Sequence, residues 1–185
     1  RSRLLTRLGF VMLAMQLYMP IIQYLDPEYT FSFHRNLPLH FCSVNFYLMA
    51  FNCFFRSRLL FVFTAYMGMT GGFHSFITPL LTAGDSPLQI THFILVHSTL
   101  ISLPFVMIKH FNMRFIQWDW VRAYGFDVLI STAMIGVNFL LNTYVDNPYT
   151  DIANYMYVIE APDVNNPFLP KSLAWPFYMF PLHFI

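Results

Sequence analysis

An apolar stretch with embedded polar groups decides the fold: residues 37–53 read LPLHFCSVNFYLMAFNC. It contains no charged side chain, and a helix that is hydrophobic on all sides is normally buried in a large core or a membrane. Histidine, asparagine and cysteine interrupt it at His40, Cys42, Asn45, Asn52 and Cys53. Inside a membrane bundle such groups either hydrogen-bond to neighbouring helices or line a site.

The rest of the chain has the same apolar character. Of its 185 residues, 57% are hydrophobic and only 10% are charged, whereas soluble domains have about 25% charged residues. The net charge of +1 leaves no basic surface for nucleic acid. The sequence therefore predicts an integral membrane protein whose partners include membrane lipids, and it leaves open which membrane holds it.

Six apolar runs are candidates for helices that cross this membrane. A spanning helix needs about 20 mostly apolar residues, and the final run, of 15 residues, is short of that. The predicted fold is all-α, a single polytopic bundle of about six transmembrane helices over residues 1–185. The six runs are Leu4–Leu25, Pro38–Phe55, Leu59–Ala83, Ile90–Ile108, Val121–Asn142 and Lys171–Ile185.

Basic residues divide unevenly between the two membrane surfaces that these runs define. The surface that holds the N-terminus carries eight of the ten basic residues: Arg1, Arg3, Arg7, Arg56, Arg58, Lys109, Arg114 and Arg122. Cytoplasmic loops are enriched in lysine and arginine, so we expect the N-terminus to lie inside. The long polar connection at residues 144–170 is then on the other surface, where we expect it to cap a cavity in the outer leaflet.

Several polar side chains fall within about 13 Å of that outer surface, counted at ~1.5 Å per helical residue. They are His40, Cys42, Asn45, His74, His92, His97, Asn138 and Asn142. Singly, such a residue is typical of interhelical hydrogen bonding, worth about 1 kcal/mol. Their shared depth beneath one loop favours a cavity, and we predict that five of them contact a bound lipid: His40, Asn45, His74, Asn138 and Asn142.

Nucleophilic catalysis is the chemistry that this residue set favours. A thiol needs a base to become a nucleophile, and neutral histidine is the usual base. Cys42 and His97 lie at similar depth, and Asn138 or Asn142 is suited to orient the imidazole or to donate to an oxyanion. The histidines show no metal-ligand spacing and the chain no transporter repeat, so we predict neither a metal nor a cofactor.

Several short motifs resemble one known family in order and spacing. They are LPLHFC at 37–42, TP at 78–79, HFILVHS at 92–98, Asn138, NYMYVIEAP at 154–162 and WPFY at 175–178. Together they resemble the YwaF-like family of integral membrane proteins, which includes the transmembrane cysteine-dependent phospholipid acyltransferases of eukaryotes. The resemblance implies a catalytic cysteine and histidine at Cys42 and His97. It also implies binding roles for Asn154, Tyr155, Trp175 and Tyr178, although Phe177 stands where the family motif has a second tryptophan.

Two functions therefore remain open from the sequence. One is a lipid acyltransferase or ester hydrolase that works through a thioester on Cys42. The other is a non-catalytic, lipid-binding accessory subunit of a larger membrane complex, such as a mitochondrial one. The 22 Phe, 11 Tyr and 11 Met residues favour it, because they offer a large surface for packing against lipid or other subunits. A shared fold does not decide between them.

Overall fold

The computed structural model describes residues 2–25, 30–81, 86–162 and 173–184. These ranges contain six α-helices and no strand. The all-α fold with about six helices is confirmed. The helices are α1 (Ser2–Leu25), α2 (Phe41–Phe55), α3 (Arg58–Ile77), α4 (Pro87–Phe111), α5 (Asp119–Tyr144) and α6 (Met179–Phe184).

Three of these helices are long and apolar enough to cross a membrane: Arg3–Leu25, Pro87–Phe111 and Asp119–Tyr144. Helix α2 is apolar but has only 15 residues, so at ~1.5 Å per residue its length falls short of a hydrocarbon core of about 30 Å. The predicted membrane protein is thus supported by three full-length spans, with α2 as a shorter apolar helix.

Serine marks the start of α4, and proline marks the end of α3. Ser86 caps α4 and forms a reciprocal capping box with Gln89. Helix α3 ends at Ile77, and Pro79 restricts the residue before it to extended backbone, so the predicted run to Ala83 was too long. Residues 82 and 83 themselves lie outside the described ranges.

The last helix is shorter than its apolar run predicted. The chain makes tight turns through Ala174–Phe177, where the Phe177 amide donates to the Ala174 carbonyl at 2.7 Å, and α6 begins only at Met179. Pro176 has no N–H to continue a helix ladder. Residues 171, 172 and 185 of the predicted run lie outside the described residues.

Helix α3 is central, packing against α2, α4 and α5, while α1 packs against α2. Phe46, Met49 and Leu100 are fully buried in the main core. A second buried cluster joins α5 to residues 153–160, which we call the docked segment. Its members are Met134, Ala153, Tyr155, Met156 and Val158, and the partly buried Leu37, Leu39, Phe41 and Val44 pack against them at the start of α2.

At the opposite end of the bundle an ion pair joins α3 to α5. Arg58 Nη2 lies 2.5 Å from Asp119 Oδ2, and the Asp119 side chain is fully buried. The Ile116 amide also donates to that oxygen at 2.7 Å. A buried carboxylate is tolerated only when it is paired and hydrogen-bonded. This pairing joins the two helices at the basic end of the bundle, which is predicted to lie inside.

Candidate functional site

Cys42 lies in the first turn of α2, half-buried against α3. Its Sγ is 3.6 Å from Ser75 Oγ, and Ser75 Oγ donates to the Gly71 carbonyl at 2.8 Å. Since the serine hydroxyl has one proton, the neutral thiol is the donor in the Cys42–Ser75 contact. A chain of thiol, hydroxyl and carbonyl therefore runs from α2 into α3.

The glycine pair of α3 brings α2 and α4 to one turn. A Cβ on Gly71 would lie 3.8 Å from Cys42 Sγ. A Cβ on Gly72 would lie 3.1 Å from the His97 carbonyl oxygen, tighter than most side-chain contacts, so a larger residue would push α3 and α4 slightly apart. Adjacent residues of a helix project about 100° apart. The Cys42 sulfur and the His97 backbone carbonyl thus approach neighbouring faces of the same turn, while the His97 ring packs on Phe93 and Phe76.

The ring of His97 has its tautomer set by a backbone carbonyl. His97 Nδ1 lies 2.7 Å from the Phe93 oxygen, and because a carbonyl only accepts, Nδ1 carries the proton. Nε2 then holds a lone pair, which a general base requires. Within the part of the chain that the structure describes, no hydrogen bond joins His97 to Cys42, so proton transfer needs closer approach or a bridging water.

Two predicted lipid-contact residues flank Cys42 on α2. The His40 ring packs on the rings of Tyr155 and Tyr157, with centroids 5.1 Å and 5.5 Å away. Asn45 is fully buried and donates from Nδ2 to the Phe41 carbonyl at 3.2 Å. Its Oδ1 has no hydrogen-bond partner among the described residues. This oxygen faces α3 one turn below Cys42, 3.7 Å from where a Cβ of Gly68 would lie.

The third predicted contact on this side, His74, occupies the last turn of α3 beside Ser75 and is half-buried. Its carbonyl accepts the Thr78 amide at 2.9 Å at the helix end. His40, Cys42, Asn45 and His74 therefore lie around the α2–α3 contact. Whether they touch a lipid stays a prediction.

Asn138 and Asn142 of α5 hold the docked segment by its backbone. Asn138 Oδ1 accepts from the Tyr155 amide at 2.9 Å and Nδ2 donates to the Tyr155 carbonyl at 3.0 Å. Asn142 makes the same pair of bonds to Ala153, at 2.7 Å and 3.1 Å. Both amides are thus used within the protein, one turn apart, as a ladder between helix and loop.

The positions implied by the family resemblance also bond within this region. Asn154 Oδ1 accepts the Ile159 and Glu160 amides and Nδ2 donates to the Glu160 carbonyl. The Tyr155 hydroxyl donates to the Phe33 carbonyl at 2.8 Å and accepts the Leu37 amide at 2.9 Å.

Two side chains near the C-terminal end complete this network. Trp175 Nε1 donates to the Val158 carbonyl at 3.0 Å, and the Tyr178 hydroxyl donates to the Tyr157 carbonyl at 2.8 Å. The network fixes the docked segment against the start of α2. That the whole 144–170 loop caps a lipid cavity stays a prediction, since residues 163–170 lie outside the described ranges.

Two residues near Cys42 escaped sequence reasoning, Ser75 and Tyr157. Ser75 follows Gly71 by one helical turn, and this small-residue spacing, typical of close helix contacts, would have indicated it. Tyr157 had no such signal, because an irregular loop brings it beside α2. Burial raises the pKa of Tyr157 to about 12, and an ionised Cys42 adds to that shift, so its phenol keeps its proton at neutral pH.

The described residues contain no group of three or more His, Cys, Asp or Glu side chains placed to hold a metal ion. Around Cys42 the described side chains offer a thiol, the Ser75 hydroxyl, the Tyr157 phenol and the His97 imidazole.

Comparison with known proteins identifies one family. No curated protein and no solved structure matches the chain. The profile of the TMEM164 family matches residues 1–185, the full length. With three helices long and apolar enough to span a bilayer, the chain belongs to the TMEM164 family of membrane proteins.

Proposed function

We propose that this protein is a membrane-embedded lipid acyltransferase or ester hydrolase that works through a thioester on Cys42, with His97 as the base. The observation that supports the proposal is the glycine pair of α3, beside which the Cys42 sulfur and the His97 backbone carbonyl approach one helical turn. The hydrogen bond from Nδ1 to the Phe93 carbonyl supports the role of His97, because it leaves Nε2 unprotonated.

The reaction has two half-steps, and neither needs a cofactor. His97 Nε2 takes the Cys42 proton, and the thiolate attacks the carbonyl carbon of a phospholipid ester. The C–S bond forms, the C–O bond breaks, and the leaving alkoxide takes the proton from His97. In the second step a lysolipid hydroxyl or water attacks the thioester and gives its proton to His97. The thiolate leaves and recovers that proton.

The depth of Cys42 supports a lipid ester as the substrate. Cys42 is the second residue of α2, near the end of an apolar helix, and glycerophospholipid ester carbonyls lie just below the headgroups. The motifs around Cys42 and His97 resemble those of the YwaF-like cysteine acyltransferases, which supports the same assignment. Membrane phospholipids are thus the proposed partners.

The test uses the full chain reconstituted in vesicles of phosphatidylcholine with a labelled acyl chain, with lysophosphatidylcholine as acceptor. The chain has two cysteines, so Cys53→Ala, at the far end of α2, is the matched control. We expect the Cys42→Ser and Cys42→Ala variants to fold but to lose acyl transfer and hydrolysis, and His97→Ala to slow turnover by about 100-fold or more. Mass spectrometry of the wild type is expected to find the acyl group on Cys42. Unchanged acyl transfer by Cys42→Ala would overturn the proposal.

A non-catalytic lipid-binding subunit of a larger membrane complex is the second candidate. It is favoured by one observation, that Cys42 and His97 are not hydrogen-bonded to each other in the described residues. Such a subunit would co-purify with membrane partners in fixed ratio and would tolerate Cys42→Ala and His97→Ala together. An enzyme would lose turnover with either substitution.

A further inference from the structure

Tyr157 is held beside α2 by contacts from three directions. The Tyr178 hydroxyl donates to its carbonyl at 2.8 Å, and its amide donates to the Asn154 carbonyl at 3.1 Å. The ring packs on His40, two residues before Cys42, with a centroid distance of 5.5 Å. Its backbone and its ring are therefore both fixed.

The backbone at this point adopts an unfavourable conformation. Met156 and Tyr157 have φ angles of 59° and 54°, in the left-handed region that costs a residue with a side chain roughly 1–2 kcal/mol. Two such residues in succession persist only where the surroundings impose them, and such strain clusters at functional sites. Here the Asn138 and Asn154 bonds on either side of the turn impose it.

The hydroxyl of Tyr157 differs from those of its two tyrosine neighbours. The Tyr155 hydroxyl donates to one backbone group and accepts from another, and the Tyr178 hydroxyl donates to one. Tyr157 is half-buried, and its hydroxyl has no hydrogen-bond partner among the residues described. Its ring packs on His40, two residues before Cys42, and an ionised Cys42 raises its pKa further. A protonated phenol thus lies at the start of α2, near Cys42, with no hydrogen-bond acceptor among the described residues.

We propose that the Tyr157 hydroxyl donates a hydrogen bond to the acyl carbonyl oxygen while the acyl group is transferred to and from Cys42. This inference rests on the proposed function and adds a third group to it. The carbonyl oxygen gains negative charge when the thiolate adds to the carbon, and a fixed donor stabilises that charge. The phenol keeps its proton throughout, so Cys42 and His97 still account for every proton and bond of the reaction.

Two reactions of Cys42 separate this role from a structural one. Acylation by p-nitrophenyl decanoate develops charge on a carbonyl oxygen, whereas alkylation by iodoacetamide displaces iodide and leaves the amide oxygen uninvolved. The Cys53→Ala background restricts both reactions to one thiol. Release of p-nitrophenol measures acylation, and mass spectrometry of the Cys42 peptide measures alkylation.

We expect Tyr157→Phe to slow acylation by about 100-fold, the usual cost of removing one oxyanion donor, and to leave alkylation within twofold of the parent. Tyr149→Phe is the matched control, because it removes a hydroxyl that donates to the Thr30 carbonyl elsewhere on the same loop, and it should change neither rate. Acylation of Tyr157→Phe at the parent rate would overturn the inference. So would an equal fall in both rates, which would mark Tyr157 as structural.

Failure of the proposed function itself gives a different result. The parent protein would then form no thioester with the ester, or Cys42→Ala would turn over phospholipid as fast as the wild type. Neither result depends on Tyr157, so the two hypotheses fail separately.

Discussion

The docked segment and the α3 turn beside Cys42 use polar side chains in opposite ways. At the docked segment, two α5 asparagines have both groups of their side-chain amides bonded: Asn138 to Tyr155 and Asn142 to Ala153. Beside Cys42, the thiol has a single long contact to Ser75, and Nε2 of His97 and the Tyr157 hydroxyl have none among the described residues.

The difference teaches that residue type and depth alone do not identify a reactive group. A buried side chain whose hydrogen-bonding capacity is used up serves the fold, because displacing its partner leaves buried groups unsatisfied. A side chain with capacity left over, next to a nucleophile, is available to a substrate. We therefore expect changes in the docked segment to act on stability first, and changes beside Cys42 to act on reactivity first.

The strongest test of this contrast removes Asn138. In Asn138→Ala the fully buried Tyr155 amide and carbonyl both lose their partner. An unsatisfied buried group costs about 1–3 kcal/mol. We expect the free energy of unfolding to fall by about 2–4 kcal/mol, measured by denaturant unfolding in detergent micelles.

Asn142→Ala is the control for that measurement, since it removes the same two bonds from an exposed position. Ala153 is itself buried, but truncating the exposed Asn142 side chain opens the Ala153 backbone groups to water, so we expect a loss below about 1 kcal/mol. Equal losses in the two variants would contradict the view that burial makes Asn138 structural.

These asparagines also show how far the sequence reaches. Apolar runs predicted α1, α2, α4 and α5 to within a few residues, because bilayer length and flanking polar residues mark the ends of a membrane helix. The depth counted along those helices predicted that Asn138 lies in the same leaflet as Cys42. It did not reveal that the Asn138 amide is occupied, because its partner at Tyr155 lies in an irregular loop that no periodicity describes.

The candidate site divides in the same manner. Counting residues from the helix ends predicted similar depth for Cys42 and His97, and the Cys42 sulfur and the His97 backbone carbonyl both approach the Gly71–Gly72 turn of α3. Tyr157 was missed because it lies 115 positions beyond Cys42 in the sequence. Two residues with left-handed backbone, Met156 and Tyr157, turn the loop toward the start of α2. Neither glycine nor asparagine occupies those two positions, so the usual sequence signal for such a backbone is absent.

A smaller effect is expected beside Cys42, where Ser75→Ala removes the hydroxyl that contacts the thiol at 3.6 Å. When Cys42 ionises, the Ser75 hydroxyl turns from the Gly71 carbonyl and donates to the thiolate. Losing that bond costs the thiolate about 1 kcal/mol, or about fivefold in rate, so we expect iodoacetamide to alkylate Cys42 about fivefold more slowly. Stability should change little, because the hydroxyl's own bond is only to the Gly71 carbonyl of its helix.

Thr70→Val is the matched control for Ser75, because Thr70 donates to the Tyr66 carbonyl in the same helix and makes no hydrogen bond to Cys42 among the described residues. It should leave alkylation unchanged. If Ser75→Ala altered stability but not alkylation, the turn beside Cys42 would behave like the docked segment, and the contrast between the two regions would be lost.

The smallest effect is expected just before the docked segment, at an exposed ion pair. There Arg35 binds Asp151 through two hydrogen bonds of 2.6 Å and 2.7 Å. The hydrogen bond from Arg35 holds the pKa of Asp151 below its usual value. A carboxylate with a lowered folded-state pKa adds stability at pH values above its unfolded pKa of about 3.9, and that stability disappears as the pH falls from there through the folded pKa. Both side chains are more than a third exposed, so solvent screening limits the contribution of the ion pair to stability to about 0–1 kcal/mol.

The free energy of unfolding, measured at neutral pH and in steps below about pH 4, should therefore show an acid-dependent loss in the wild type. Asp151→Asn should reduce that loss slightly. A loss of several kcal/mol that Asp151→Asn removes would mean that this exposed pair anchors the loop as strongly as Asn138 does.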